Sequence, residues 1–397
     1  MNKLYCGDCL EVMEKKLEEE SVDLIYLDPP FFSNRTYEVI WGDEAEVRSF
    51  EDRWEGGIEV YSDWMAERLR ACHRVLKPTG SLYLHCDWHA AHYLRLRLDE
   101  IFGRHNFVNE LIWHYRKWSA GTGVFQRNHD NILFYSKTGA KTRVFNRLYM
   151  PRAASTLKRF GEQRIISGFD SHGERVPSKL AKEKSPGVAM DDVWDINRVP
   201  PIKQLYPTEK PLALLERIIS VSSNPGQLVL DPFCGCGTAA IAAAKLKREW
   251  IGIDISPTAV RVIRERILKL RYDAPEMIGL PTSIDALRAL KPFEFQNWVV
   301  RERFNGTVGR RGGDKGIDGY TFMVHEPIQV KQSEDVGRNV VDNFHAAMKR
   351  SGKRRGYIVA FSFGRGAKEE AAALKHREGL EIILVTCEEL LSTNWGQ

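Results

Sequence analysis

The chain reads as an α/β protein in two unequal parts, and three stretches carry that reading. The first is Val22-Asp23-Leu24-Ile25-Tyr26-Leu27, an apolar run of strand length that stops at Asp28-Pro29-Pro30-Phe31. The second, Gln227 to Asp254, is a strand, a glycine loop, a helix and a second strand ending on an acid. The third is the tail, about 105 residues whose elements fall in the order α, β, β, α, β, α, β, an ordinary domain size.

Composition fits a globular chain. The 397 residues leave room for two or three domains with a sizeable core. Hydrophobic residues make up 43% and charged residues 28%, ordinary values for a soluble protein. The start, Met1-Asn2-Lys3-Leu4-Tyr5-Cys6-Gly7-Asp8, lacks the apolar core of a signal peptide. No apolar run approaches the roughly 18–20 residues of a membrane span, so no membrane partner is expected. Seven scattered cysteines point to reduced thiols and a cytoplasmic setting. A net charge of +5 permits a nucleic-acid partner without requiring one.

Taken in order, Lys3-Leu4-Tyr5 is a short strand, followed by a turn and a helix running through Leu17. Asp8 sits where strand hands over to helix. Cys6 and Cys9 form a C-x-x-C, but a structural zinc needs a second pair, and none follows at suitable spacing. After Val22–Leu27 the two prolines stop the strand and stiffen the backbone. They leave a carboxylate, two rigid carbonyls and an aromatic face at the strand's C-terminal edge, where open α/β sheets place ligands. Ser62–Arg70 is an amphipathic helix, Lys77-Pro78-Thr79-Gly80 a turn and Ser81–Asp87 a strand. A further helix, Tyr93–Phe102, closes at Gly103. His85, His89 and His92 have aromatic and basic neighbours and read as packing or surface residues rather than metal ligands.

Residues 111–200 change character. Trp113, Tyr115, Trp118, Phe125, Phe134 and Tyr135 alternate with Arg116, Lys117, Arg127, Lys137, Lys141 and Arg143. Such interleaving suits phosphate contacts and base stacking, and the stretch reads as an insertion that meets a nucleic-acid target. A solvated, loop-rich insertion is the plainer alternative.

Tyr206-Pro207-Thr208-Glu209-Lys210-Pro211-Leu212 then opens a helix through Ile219. The strand Gln227–Leu230 leads into Asp231-Pro232-Phe233-Cys234-Gly235-Cys236-Gly237-Thr238, an alanine-rich helix to Lys247 and the strand Trp250–Ile253. Gly235 and Gly237 let backbone approach a ligand where a side chain would clash. Asp254 lies 19 residues beyond Gly235 (254 − 235), near the spacing of an acid that binds ribose hydroxyls. The loop lacks the third glycine of a dinucleotide fingerprint and carries Asp231 at the strand end, where a pyrophosphate would be repelled. A cationic or zwitterionic cofactor tolerates that acid. The preferred cofactor is therefore S-adenosylmethionine, with Asp231 on its amino group.

Asp28-Pro29-Pro30-Phe31, then Thr208-Glu209-Lys210-Pro211, then Asp231 to Thr238 together resemble the amino-group DNA methyltransferases. The order, tetrapeptide before cofactor loop with a long insertion between, is similar to the circularly permuted beta group. The likeness covers about residues 1–275 and includes His85-Cys86-Asp87, Phe107–Trp113 and His129–Tyr135. Cys236 is a departure, since the family more often has serine or another small residue there. The resemblance implies a Rossmann-like fold in which Asp28 and the Pro29 carbonyl accept the two hydrogens of a base amino group. Pro30 would stiffen that turn and Phe31 would stack on the base. It further implies Asp8 at the cofactor adenine, Asp254 at its ribose, and Thr208 and Lys210 at the border of the cofactor site. Phe233, Gly235, Gly237 and Thr238 would complete the loop. Such enzymes take the target base out of the duplex. An aspartate-led tetrapeptide leans towards adenine N6 over cytosine N4.

Residues 276–290 read as a linker into residues 291–397. There Phe293–Val300 is a helix, Gly312–Gly319 a glycine turn and Ile328–Gln332 a strand. Asp318, followed 11 and 13 positions later by Gln329 and Lys331, suits a metal-dependent phosphodiesterase in which Asp318 and Gln329 hold Mg²⁺. The tail resembles the Mrr-type branch of the PD-(D/E)XK nucleases, which implies a small restriction-endonuclease-like α/β domain with Glu294 as its assisting helix acid. Lys349, Arg350, Lys353, Arg354 and Arg355 are candidate phosphate contacts. Glutamine in an acid position leaves two alternatives: an active endonuclease in a restriction–modification protein, or a degenerate DNA-binding module behind a cytosine-N4 methyltransferase. A third, an RNA or small-molecule methyltransferase, is opposed by the basic-aromatic insertion and the nuclease-like tail. A homodimer is a compatible assembly.

Overall fold

The computed structural model describes residues 2–32, 36–41, 46–51, 57–116, 123–139, 142–169, 171–200, 209–304, 306–308, 316–321 and 324–392. Nine strands form the larger sheet: β1 (Lys3–Cys6), β2 (Val22–Leu27), β3 (Leu76–Cys86), β4 (Phe107–His114), β5 (His129–Ser136), β6 (Val193–Asp195), β7 (Leu228–Asp231), β8 (Glu249–Asp254) and β9 (Glu276–Ile278). Their spatial order is β6-β4-β5-β3-β2-β7-β8-β1-β9. Every pairing is parallel except the two made by β5, which therefore runs against its neighbours.

Strand β2 shows why its sequence is continuously apolar. Leu24 and Tyr26 point into the core on one face of the sheet, Ile25 and Leu27 into the core on the other. A strand covered on both faces has no polar side to alternate with. One core holds Met13, Leu69, Cys72 and Leu94 from the helices Cys9–Lys16, Gly57–Val75 and Ala91–Leu98. The other holds Leu215, Ile218, Ile241 and Ile263 from the helices Leu212–Ser222, Thr238–Lys245 and Pro257–Lys269. Each such side chain contributes about 1.5–3 kcal/mol on burial.

Three expectations change. Lys77–Gly80 is not a turn before the strand but a bulge inside β3: Val22 pairs with Leu76 and Leu24 already with Ser81. Glu276-Met277-Ile278, expected as linker, pairs with the exposed edge of β1 as the ninth strand. Most aromatics assigned to DNA stacking are core. Trp113, Tyr115, Phe134 and Tyr135 are buried in strands β4 and β5 or directly after β4, while Phe125 is exposed. Lys117, Trp118 and Lys141 lie outside the described residues. The remainder of the stretch forms the antiparallel pairs Gln163–Phe169 with Arg175–Lys184 and Tyr149–Met150 with Val188–Ala189.

The tail builds a second sheet from β10 (Thr307–Val308), β11 (Gly319–Tyr320), β12 (Pro327–Val330), β13 (Arg355–Ala360) and β14 (Glu381–Thr386), in that spatial order. β10, β11 and β12 pair antiparallel, and β12, β13 and β14 pair parallel. The helices Arg338–Ser351 and Arg365–Glu378 cover one face through Val341, Phe344, Met348 and Leu374. The other face packs on Phe295, Trp298 and Val299. No helix among the described residues is long and apolar enough to cross a membrane.

Candidate active site

One edge of the larger sheet collects the predicted residues. Strands β1, β8, β7, β2 and β3 end there, and the antiparallel β5 begins there. Along that edge stand Asp8, Asp254, Asp231, Asp28, His85 and Asp130. Strand order alone divides them into a half around β1, β8 and β7 and a half around β2, β3 and β5.

In the first half, Asp254 orders the glycine loop. One carboxylate oxygen accepts from Gly235 N (2.9 Å), the other from Ser256 N (2.9 Å). Gly235 (φ +48°) and Gly237 (φ +79°) both sit in the left-handed region. A Cβ on Gly237 would come within 2.7 Å of Ile263, whereas one on Gly235 would meet only the Phe233 carbonyl at 4.0 Å. Gly237 is thus required by packing, and Gly235 faces open space. Asp231 is buried, with one oxygen accepting from Phe233 N at 3.1 Å. Burial pushes its carboxyl well up, and the neighbouring Asp28 and Asp254 add to this against the pull of the Phe233 N–H and Lys210. A carboxylate so placed is suited to a cationic partner. Thr238 begins the helix after the loop, and Phe233 packs its ring 5.9 Å from that of Trp64. Asp8 caps the helix Cys9–Lys16 by accepting from Leu10 N (2.8 Å), and its other oxygen pairs with buried Arg68 at 2.8 Å. Burial pushes the Cys6 and Cys9 thiols up to about 12, so both stay protonated at neutral pH.

In the second half, Asp28 follows the end of β2, and Lys210 donates to both of its oxygens at 2.7 and 2.5 Å. Lys210 also lies 5.0 Å from the Phe31 ring centre. Tyr61, fully buried, donates to the Pro30 carbonyl at 2.6 Å and so fixes the proline pair from below. Thr208 lies outside the described residues. Its neighbour Glu209 accepts from Arg266 at 2.8 Å, and Arg266 also donates to the Cys236 carbonyl at 2.6 Å. One arginine therefore ties the Lys210 segment to the glycine loop.

Sequence reasoning missed Arg266, Arg68 and Tyr61, which carry no local motif. It placed His85 as a packing residue, and His85 is indeed wholly buried, yet its Nδ1 lies 4.0 Å from Asp28. Tyr26 hydroxyl meets the same nitrogen at 2.8 Å, and Nε2 faces Asp130 at 3.3 Å. Among the described residues no group of three or more His, Cys, Asp or Glu is arranged to hold a metal.

In the tail, Asp318 lies just before β11, and its backbone N–H donates to the Ile328 carbonyl of β12, next to Gln329, at 2.8 Å. One Asp318 oxygen accepts from Val330 N at 2.7 Å, and burial pushes its carboxyl up against the pull of that N–H and of Lys331. The Gln329 side-chain oxygen is buried and has no hydrogen-bond partner among the described residues. An orphaned amide oxygen on the strand to which Asp318 is bonded, and a buried carboxyl, are both oxygen donors of the kind a hard divalent cation takes. Glu294 is a correction. Ser256 (3.0 Å) and Thr258 (3.4 Å) donate to its carboxylate at the start of the helix Pro257–Lys269, on the larger part of the molecule. Gln296, two residues along the same helix and so on its opposite face, is the residue that reaches Asp318, donating to its carbonyl at 2.9 Å.

Residues 22–265 match the sequence profile of the DNA methylases of the N6/N4 type. The chain belongs to the DNA methylase family. Residues 287–393 match a restriction endonuclease profile, so this DNA methyltransferase carries a restriction-endonuclease-like domain at its C-terminal end. It is 31% identical to the DNA adenine methyltransferase YhdJ of Escherichia coli over 280 residues, 68% of this chain and 84% of that protein. It is 30% identical to the Type II methyltransferase M.HpaI of Haemophilus parainfluenzae over 307 residues, 76% of this chain and 83% of that one. Among solved structures, a Thermus thermophilus protein described as a DNA modification methylase, complexed with S-adenosyl-L-methionine, aligns with a TM-score of 0.46. That pair is 21% identical over 71% of this chain and 100% of the other.

Proposed function

We propose that this DNA methyltransferase transfers the methyl group of S-adenosylmethionine to an exocyclic base amino group, adenine N6 by preference, at a specific site in double-stranded DNA. The observation that carries the reading is Asp28 at the end of β2, one strand from the buried Asp231 and across the same edge from Asp254. Asp231 would take the cofactor's amino cation, Asp254 its ribose hydroxyls and Asp8 its adenine side, with Gly235 leaving backbone room. The cofactor supplies an electrophilic methyl group. Everything else falls to the chain. Asp28 and the Pro29 carbonyl accept the two amino hydrogens and localise a lone pair otherwise delocalised into the ring. Phe31 offers a stacking face. Lys210 holds both Asp28 oxygens in this structure, so the base amino group takes its place on one of them. The aspartate-led tetrapeptide and the 31% identity to a DNA adenine methyltransferase favour adenine.

The C-terminal domain is read as a Mg²⁺-dependent endonuclease. Asp318 and Gln329 would hold the cation, which supplies charge neutralisation at the phosphodiester, and Lys331 would act beside it. Glutamine at 329 supports the competing reading of a domain that binds DNA without cutting it. The test uses purified protein and unmethylated plasmid, with and without S-adenosylmethionine and Mg²⁺, followed by modification-sensitive sequencing. Methyl incorporation should disappear in Asp28→Ala and cleavage in Lys331→Ala. Methylation that survives Asp28→Ala overturns the first assignment, and absence of cleavage under all conditions overturns the second.

A further inference from the structure

Behind Asp28 lies a buried chain of polar groups with no part in the chemistry described so far. His85, on β3, has no exposed surface. Its Nε2 faces Asp130 of β5 at 3.3 Å, and its Nδ1 faces the Tyr26 hydroxyl at 2.8 Å and Asp28 at 4.0 Å. Tyr115 donates to the other Asp130 oxygen at 2.9 Å. The imidazole ring also lies 5.3 Å from Phe31 and meets Trp113 edge-on at 5.5 Å. The tetrapeptide's acid and its aromatic face therefore both rest on this one histidine.

The tautomer follows from the partners. Asp130 is an acceptor, so Nε2 carries a hydrogen and donates to it, leaving Nδ1 to accept from Tyr26. Charge on the cluster is then unbalanced. Asp28 and Asp130 bring two carboxylates and Lys210 one ammonium, while Asp87 and Arg198, acting on Tyr115 from further out, bring opposite charges that offset each other. Tyr26 and Tyr115 are neutral, their hydroxyls held protonated by burial, and Asp231 beyond them is the partner proposed for the cofactor's amino cation. Among the described groups facing it, His85 is the one whose protonation cancels the remaining negative charge.

We propose that His85, held by Asp130, is the relay residue that receives, through Asp28, the proton released when the base amino group is methylated. This rests on the reading of Asp28 as the amino-group acceptor. The amino nitrogen forms a bond to the methyl carbon as the carbon–sulfur bond breaks, its electron pair staying on sulfur. The nitrogen is left with one hydrogen too many. That proton passes to the Asp28 carboxylate while the N–H pair stays on nitrogen. It passes on to His85 Nδ1 as the Tyr26 hydroxyl turns aside. The products are the methylated amine, a thioether and an imidazolium paired with Asp130. An approach of about 1 Å brings Asp28 and Nδ1 into hydrogen-bond range, a tightening ordinary for a loaded site.

The test is the single-turnover rate of methyl transfer to unmethylated plasmid, at saturating DNA and S-adenosylmethionine, measured as a function of pH. The parent rate rises with pH on a limb set by the imidazole. His85→Gln removes that limb and slows the step about 100-fold, with KM for DNA and cofactor affinity unchanged. Asp130→Asn, which keeps the shape but removes the counter-charge, moves the limb to lower pH and slows the step. A His85→Gln protein with the parent's rate and pH profile means the proton leaves to solvent, and the inference is wrong. Should His85→Gln fail to fold, Asp130→Asn decides, and an unmoved limb overturns the relay. Asp28→Ala separates the two readings. If it is inactive while both relay variants behave like the parent, the relay alone fails. If it remains active, the amino-group assignment fails with it.

Discussion

The Lys210–Asp28 pair makes the most direct prediction, because it joins two motifs 182 positions apart. Its side chains keep only 9% and 19% of their surface exposed. Removing one partner of a fully buried pair costs about 3–5 kcal/mol, since the other charge is stranded. With a fifth of Asp28 still reached by water, about 2 kcal/mol is the expected loss for Lys210→Met. In a domain of this size that lowers Tm by about 4–8 °C. Lys210→Met combined with Asp28→Asn strands no charge, so the double variant should regain most of the loss, a coupling of about 1.5 kcal/mol. Calorimetry of the full-length protein measures this in the transition that S-adenosylhomocysteine shifts upward, which marks the methyltransferase part. A coupling below about 0.5 kcal/mol would show that the pair is not formed in solution, and with it would go the argument that the base amino group displaces Lys210.

Other outcomes follow from the same edge and from the tail. Gly237→Ala combines a left-handed backbone with a 2.7 Å approach to Ile263 and should destabilise by about 2–4 kcal/mol in urea titration. Gly235→Ala, with no neighbour closer than 4.0 Å, should cost only about 1 kcal/mol but weaken cofactor binding roughly tenfold in calorimetric titration. Asp318→Asn should abolish Mg²⁺-dependent plasmid cleavage while methyl incorporation continues at the parent rate, because the two sites lie on separate sheets.

Much of this site could be read from local sequence. Asp28, Asp231 and Asp254 each end or directly follow a strand, and a strand end is a short-range signal of apolar run and breaker. His85 and Asp130 could not be paired that way. They are 45 positions apart and meet because β5 runs antiparallel beside β3, a register that places Cys86 opposite Asn131. The same two-sided burial hid the nature of β5: buried on both faces from Asn131 to Ser136, it shows no alternation, so Phe134 and Tyr135 resembled a stacking surface. Glu294 was misassigned for a helical reason, since which face of a short helix meets which sheet is decided by packing, here of Phe295 and Trp298 into the tail's core.

Asp231 shows what the acidic edge costs the protein before any ligand arrives. Its carboxyl is pushed well above the ordinary 3.8 by burial first, and by Asp28 and Asp254. An acid whose pKa is raised on folding binds its proton more tightly in the folded than in the unfolded chain. The ligand-free protein is therefore stabilised by this group at pH values below the ordinary carboxylate range, and loses that contribution as pH rises from there through the raised folded value. Asp231→Asn carries no such charge. Its ligand-free Tm should exceed the parent's at neutral pH, and the difference should shrink on acidification towards pH about 4. S-Adenosylmethionine should reverse the ranking, because its amino cation compensates the parent carboxylate and has nothing to pair with in Asp231→Asn. Equal Tm differences at both pH values would show that folding does not raise the pKa of Asp231. A cofactor-induced Tm rise as large in Asp231→Asn as in the parent would remove Asp231 from the cofactor site. The edge is thus built at the expense of the empty protein, with carboxylates placed where a cation and an amino group are to be received.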